Sequence, residues 1–311
     1  MILAEVVRSG FVESVHHGSV VVLDAAGLVV AAAGEVAAPM FPRSSNKPFQ
    51  TVGMLRAGLR TADPADLALI SGSHFGEPFH VARVREILGA AGLDEGALRC
   101  PESLPLSENE RDIVLRDGRG PERILMNCSG KHAGMLATCV ANGWSLDDYR
   151  NAKHPLQVAI AAAVTDLVGE PIAATGIDGC GAPVFGFSLT ALARGFQRLV
   201  QAPPQSYERL VADTMRADPE LVAGTGEDDT RLMRGVPGLL AKGGAEGVVA
   251  VAIEDVGAVA LKIEDGAMRA RMPVLMSALR RLGVAAPILD DLATVPVLGG
   301  GVRIGEVRTA W

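Results

Sequence analysis

The chain has 311 residues, 49% hydrophobic, 21% charged and 4% aromatic, with a formal net charge of −7. Such a chain can bury a large core as one domain or two closely packed lobes, which excludes a disordered protein. Its acidic balance, with no run of six or more like charges, excludes nucleic acid and an anionic membrane as partners, because both are met by Lys/Arg surfaces.

The opening residues, Met1-Ile2-Leu3-Ala4-Glu5, lack the basic and apolar stretches of a signal peptide. The apolar run at residues 18–33 is broken by Asp24 and falls short of the roughly 20 apolar residues that a membrane helix needs. A cytoplasmic protein is expected. Its four cysteines, Cys100, Cys128, Cys139 and Cys180, are then thiols or metal ligands and not a disulfide framework.

Residues 19–24 and 27–31 read as strands of a hairpin around Ala25-Ala26. From Pro48 the period becomes helical, with Phe49, Val52, Leu55 and Leu59 on one face. Residues 79–91 repeat it with Val81, Val84, Ile87 and Leu88, and Gly89 and Gly92 mark the end. A helix over 131–141 closes at Asn142-Gly143, and Pro155 opens another that runs to Val168 and stops at Gly169. Helical stretches follow at 189–200 and 207–216. Strand patterns return at 247–253 and 258–263, joined through Glu254-Asp255-Val256-Gly257. A last helix covers 268–282, with Pro273 early enough to be tolerated, and a strand covers 306–310. Strands at both ends with helices between predict an α/β fold of the α+β type, with one antiparallel sheet built from both chain termini and a mainly helical central part. The sheet lobe would take residues 1–45 and 236–311, the helical lobe 46–235.

Four segments carry chemistry-bearing side chains. In Arg43-Ser44-Ser45-Asn46-Lys47-Pro48, Ser44 and Lys47 form an S-x-x-K, the motif of penicillin-recognising serine enzymes. A serine hydroxyl needs a base, and a lysine serves when desolvation or a nearby cation favours its amine form. Pro48 disfavours helical geometry at Lys47, and the same residues also fit a capped helix start with a solvated lysine. Ser71-Gly72-Ser73-His74-Phe75-Gly76-Glu77 offers a hydroxyl, an imidazole and an acid on a glycine-rich turn; Gly72 and Gly76 would let backbone approach a ligand, and Ser73 would equally serve as a helix cap. Asn127-Cys128-Ser129-Gly130-Lys131-His132 precedes a helix, where free N–H groups suit an anion, and it lacks the spacing of a P-loop. Gly176-Ile177-Asp178-Gly179-Cys180-Gly181-Ala182-Pro183 displays Asp178 and Cys180 on constrained backbone.

In this order the segments resemble the L-asparaginase II family. Arg8-Ser9-Gly10-Phe11-Val12-Glu13 with His16, and Lys262-Ile263-Glu264-Asp265-Gly266, extend the resemblance through almost the whole chain. The resemblance implies a fold similar to serine β-lactamases and glutaminases. It implies two catalytic serine–lysine pairs, Ser44 with Lys47 and Ser73 with Lys242, acting on L-asparagine. It also implies zinc held by Cys128, Lys131 and Cys180, in a role left open between substrate recognition and structure, and a homodimer is expected. Arg43, His132 and Asp178 are candidates for the substrate's α-amino and α-carboxylate groups. A glutaminase or another acyl-serine amidohydrolase is the alternative enzyme, and a zinc-containing amino-acid-binding protein without turnover is the alternative outside catalysis. Part of the family carries a cysteine where Asp229 stands, and Ser73-His74-Phe75-Gly76 is less hydroxyl-rich than its counterparts. Cys100 and Cys139 match no family position and read as packing residues.

Overall fold

The computed structural model describes residues 1–311. Its strands are β1 (Ile2–Arg8), β2 (Phe11–Asp24), β3 (Val29–Ala33), β4 (Pro39–Met40), β5 (Ala174–Ile177), β6 (Pro183–Ser188), β7 (Leu239–Gly244), β8 (Val248–Ile253), β9 (Gly257–Ile263), β10 (Thr294–Gly299) and β11 (Val302–Thr309). Its helices are α1 (Lys47–Arg56), α2 (Asp66–Ile70), α3 (Pro78–Ala90), α4 (Glu108–Arg116), α5 (Ser129–Asn142), α6 (Pro155–Val168), α7 (Leu189–Gln201), α8 (Tyr207–Ala217), α9 (Pro219–Val222), α10 (Asp228–Gly235), α11 (Arg271–Arg281) and α12 (Ile288–Asp291). The chain divides into a first unit of residues 1–45, 187–201 and 231–311 and a second of residues 46–186 and 202–230.

The first unit carries an antiparallel sheet in the order β10-β11-β1-β2-β9-β8-β7, with β3 on β2. The two ends of the chain meet in it: Ala4 lies opposite Thr309 and Arg8 opposite Gly305. β2 is long because it serves two neighbourhoods. Residues 11–17 pair with β1, and residues 18–24 pair with β9. β8 is buried at every position and β9 at all but one, so these Val/Ala-rich strands show no polar face. α7 packs on β2, β8 and β9, and α11 on β1, β9 and β11. α7 sits with the sheet although its neighbours in sequence belong to the helical stretch. Leu192, Phe196 and Leu199 are its buried stripe, and Gln197 Nε2 donates to the carbonyl of Asp24 at the β2–β3 turn (2.7 Å). The helix expected at 268–282 begins with a 3-10 turn, Met268–Ala270, before α11.

In the second unit α1 packs on α5, α6 and α8, and α2 packs on α5, α8 and α9. The small residues of the sequence earn their place where α2 meets α5. A Cβ on Gly134 would stand 2.8 Å from the Ile70 side chain, and one on Gly130 2.8 Å from Leu69. α6 begins at Pro155 and ends on left-handed Gly169, φ +74°, as its punctuation predicts. β5 pairs antiparallel with the first four residues of β6, leaving Asp178–Ala182 as the hairpin loop.

Candidate active site

Residues 72–75 run extended beside the end of α9. Ser73 N donates to Val222 O (2.7 Å) and Phe75 N to Ala223 O (2.8 Å). Gly72 is required here because a Cβ would stand 2.8 Å from the carbonyls of both Leu221 and Val222. The close approach expected of Gly72 is therefore to the chain's own backbone and not to a ligand. Ser73 is a paired extended residue and not a cap; α3 is capped by Glu77, whose N–H donates to His80 Nδ1 (3.1 Å).

This pairing presents Ser73 to Lys47. Lys47 is the first residue of α1, with Pro48 next, where the missing proline N–H has no helical partner to lose. Ser44 lies in the 3-10 turn before it, so no single α-helix carries the S-x-x-K. The Lys47 side chain is 1% exposed; its Nζ donates to Ser73 Oγ (3.0 Å) and to the carbonyl of Gly72. Lysine is rarely buried this far without a charged partner, yet both acceptors are neutral. The segment is tied back to α1 by Ser71 Oγ, which donates to Thr51 Oγ1 (2.8 Å), itself bonded to the Lys47 carbonyl (3.1 Å). The bond joins the lysine of one expected pair to the serine of the other.

The other two expected catalytic residues belong to the first unit. Ser44, half-buried, follows Arg43, whose φ of +52° is rare for a residue with a Cβ. Arg43 reaches Glu246 at 3.6 Å. Ser45 Oγ donates to the Lys242 carbonyl (3.0 Å), and a Cβ on Gly244 would meet the Pro42 carbonyl at 2.7 Å, so the backbone at residues 42–45 lies against β7. Lys242 is 1% exposed on β7, and its Nζ donates to the Gly243 carbonyl (2.7 Å).

A second buried cluster forms where α5 begins. Cys128 precedes the helix, Lys131 and His132 occupy its first turns on the same side, and the β5–β6 loop brings Cys180 to them. That loop is held by Asp178 N to Ala182 O (2.9 Å) and Gly181 N to Asp178 O (2.8 Å), with half-buried Asp178 also accepting from Gly179 N (2.9 Å). Lys131 is 1% exposed, and its Nζ donates to Cys180 Sγ (3.2 Å). The thiols share a proton unequally. The hydrogen bond from Cys128, then the Lys131 charge and His132, hold Cys180 well below the ordinary thiol range, against the effect of burial. The same hydrogen bond and burial keep Cys128 protonated. Burial alone would lower the Lys131 ammonium, but Cys180, Cys128 and Asp178 raise it more. Cys100 and Cys139 are packing residues, pushed up by burial to about 11 and about 12.

Two soft sulfurs and one amine nitrogen form a donor set that suits zinc, with room for a fourth ligand in a tetrahedral sphere. No cluster of three or more His, Cys, Asp or Glu side chains that could hold a metal is present; the expected set would take Lys131 as its third member. Of the candidate substrate contacts, His132 is fully buried, with Nδ1 2.6 Å from the Tyr149 hydroxyl. Asp229 is buried on α10. Sequence patterns pass over Thr51, Ser129 and Tyr149. Ser129 Oγ donates to the Ile124 carbonyl (2.8 Å) and so accepts from His74 Nε2 (2.7 Å), and burial keeps His74 neutral. The only available signal for Tyr149 is rarity: it is one of two tyrosines in the chain.

The pattern of the L-asparaginase II family matches residues 4–309. None of the curated proteins compared matches the chain. Among solved structures, similar ones include a β-lactamase from Mycobacterium bovis, at 16% identity over 86% of this chain and 95% of that one, TM-score 0.47. A mutant simvastatin synthase from Aspergillus terreus is similar at 13% identity over 88% of this chain and 92% of that one, TM-score 0.41.

Proposed function

The chain belongs to the L-asparaginase II family, and from that premise we propose that it hydrolyses the side-chain amide of L-asparagine to L-aspartate and ammonia by serine–lysine chemistry. Amide hydrolysis is the reaction class of the family. The observation that carries the serine–lysine reading is the buried Lys47 amine on the Ser73 hydroxyl, with no carboxylate in the pair. A buried amine held on a hydroxyl and a carbonyl is placed to exchange a proton with the hydroxyl and has little other use.

The reaction follows acyl transfer. A serine Oγ attacks the side-chain amide carbon; the O–C bond forms as the hydroxyl proton passes to a lysine in its amine form. The C–N bond then breaks, and the proton returns to the leaving nitrogen as ammonia. Water hydrolyses the aspartyl ester and regenerates the serine. The family motif pairs Ser44 with Lys47 and Ser73 with Lys242; since Lys47 is bonded to Ser73, the two serines can exchange the roles of nucleophile and proton donor to the leaving group. Arg43 and Asp178 take the α-carboxylate and α-ammonium. Cys128, Lys131 and Cys180 would hold zinc, which when bound supplies positive charge for substrate recognition. A homodimer belongs to the same reading.

The test is ammonia release from asparagine, glutamine and a chromogenic cephalosporin, by the wild type and by Ser44→Ala and Ser73→Ala. Loss of asparagine turnover in the serine variants is expected. Near-normal rates in both would refute serine catalysis. Preference for glutamine or the cephalosporin would mark another acyl-serine enzyme, and tight asparagine binding without turnover a binding protein.

A further inference from the structure

Two charged residues occupy backbone positions that turn chemistry gives to glycine or asparagine. Arg43, just before Ser44, has φ +52°, and Glu246, in the turn between β7 and β8, has φ +61°. A left-handed φ crowds Cβ against backbone oxygen, so a side chain persists there only where its surroundings fix it. Glu246 is followed by left-handed Gly247 (φ +68°), and such a pair of turn residues favours Asn-Gly or Gly-Gly. Only four non-glycine residues of the chain have positive φ, and these two meet: Arg43 Nη1 lies 3.6 Å from Glu246 Oε1.

Both partners stand on fixed backbone. Ser45 N donates to the Pro42 carbonyl (3.1 Å), which closes a turn around Arg43 and Ser44, and Ser45 Oγ ties that turn to the Lys242 carbonyl of β7 (3.0 Å). Glu246 is held by residues 262–266, a segment of the family resemblance with no part in the reaction above. Lys262 Nζ donates to the Glu246 carbonyl (2.8 Å), and Ile263 N donates to the Gly247 carbonyl (3.0 Å). Gly266 faces the carboxylate, where a Cβ would stand 2.7 Å from Glu246 Oε2.

Stability does not account for the pair. The Glu246 side chain is 59% exposed, and 3.6 Å is too long for a hydrogen bond, so the attraction is weak. Glycine at either position would remove the crowding. What the two side chains supply is direction: a carboxylate on a fixed turn limits where a long, flexible guanidinium stands beside the serine. A guanidinium has five N–H groups, so one carboxylate does not exhaust it.

We propose that Glu246 is a positioning residue for Arg43: it holds the guanidinium for the substrate's α-carboxylate, and Lys262 and Gly266 hold Glu246. This rests on the asparaginase reading above, in which Arg43 takes that carboxylate. Substrate discrimination then depends on a side chain that does not touch the substrate.

The experiment uses the full chain and two substrates, L-asparagine and β-alaninamide, which is asparagine without its α-carboxylate. The wild type, Glu246→Asn, Arg43→Gln and the double variant are compared in kcat, KM and melting temperature. Glu246→Asn removes the charge and keeps a residue suited to the turn, so it should melt no lower than the wild type. It should raise KM for asparagine by about 5-fold with kcat nearly unchanged, and leave turnover of β-alaninamide as it was. Arg43→Gln should raise KM for asparagine by about 10–100-fold. Adding Glu246→Asn to Arg43→Gln should cost nothing further, because Glu246 acts only through Arg43. Losses that multiply in the double variant, equal losses on the two substrates, or a lower melting temperature of Glu246→Asn with KM unchanged would overturn the proposal. If the wild type releases no ammonia from asparagine, the asparaginase reading is what fails. Calorimetric binding of asparagine then makes the same comparison, and equal affinity in the wild type and Glu246→Asn would overturn the role of Glu246.

Discussion

Two lysines of the second unit, Lys47 and Lys131, are each 1% exposed, and their surroundings assign them opposite work. Lys47 meets a hydroxyl and a carbonyl, both neutral groups. Lys131 meets a thiolate, with Asp178 near, and these anions hold its proton. The chemistry of a buried lysine is thus set by the charge of its acceptor and not by burial, which the two share. On the proposed reading the first serves as the base, and the second is a counter-ion to Cys180.

The largest test of that contrast is Lys47→Met. It should lower the rate of ammonia release about 10³-fold while leaving thermal stability equal or higher, since an apolar chain of similar length replaces a buried amine. Activity within tenfold of wild type would erase the distinction. Gly72→Ala asks whether the extended pairing positions Ser73. Its Cβ would meet two backbone carbonyls at 2.8 Å. A cost of about 1–3 kcal/mol in denaturant unfolding and a rate loss of about 10²-fold from misplacement are expected. Lys131→Met should diminish the ultraviolet thiolate absorbance of the metal-free protein near neutral pH, because Cys180 loses its adjacent cation. Lys47→Met should leave that absorbance nearly intact; equal losses in the two variants would merge the two regions.

The smallest effect concerns a partly buried acid. Burial, then Asp228, Asp229 and Glu77, push the Glu227 carboxyl up from 4.5 to about 7. The folded chain then holds this proton more tightly than the unfolded one, so the group's penalty grows as pH rises through about 4.5 to about 7 and is fully present above. Glu227→Gln should raise the melting temperature at about pH 8 and change it little at about pH 4. A uniform shift at both would show that charge is not the cause.

Local features were legible in the sequence and distant pairings were not. α6 could be bounded from Pro155 and Gly169 because caps act within one turn. The two-ended sheet followed from strand patterns at 19–31 and 247–263, and the structure extends it with β1 against β11. β10 escaped notice because Pro296 interrupts its pattern, which an edge strand tolerates. α7 looked like its helical neighbours, since nothing local says which surface a stripe will cover. The Lys47–Ser73 bond spans 26 residues and the His132–Tyr149 bond 17. Both depend on packing of glycine-bearing segments, and motif spacing had paired Lys47 with Ser44.

The most direct test of the central claim is rapid acid quench of protein mixed with asparagine, followed by peptide mapping of the covalent adduct. An aspartyl ester on Ser44 or Ser73 that accumulates in the wild type and is lost in Lys47→Met is the expected result. An adduct at neither serine, or the same ester forming at the same rate without the Lys47 amine, would contradict it.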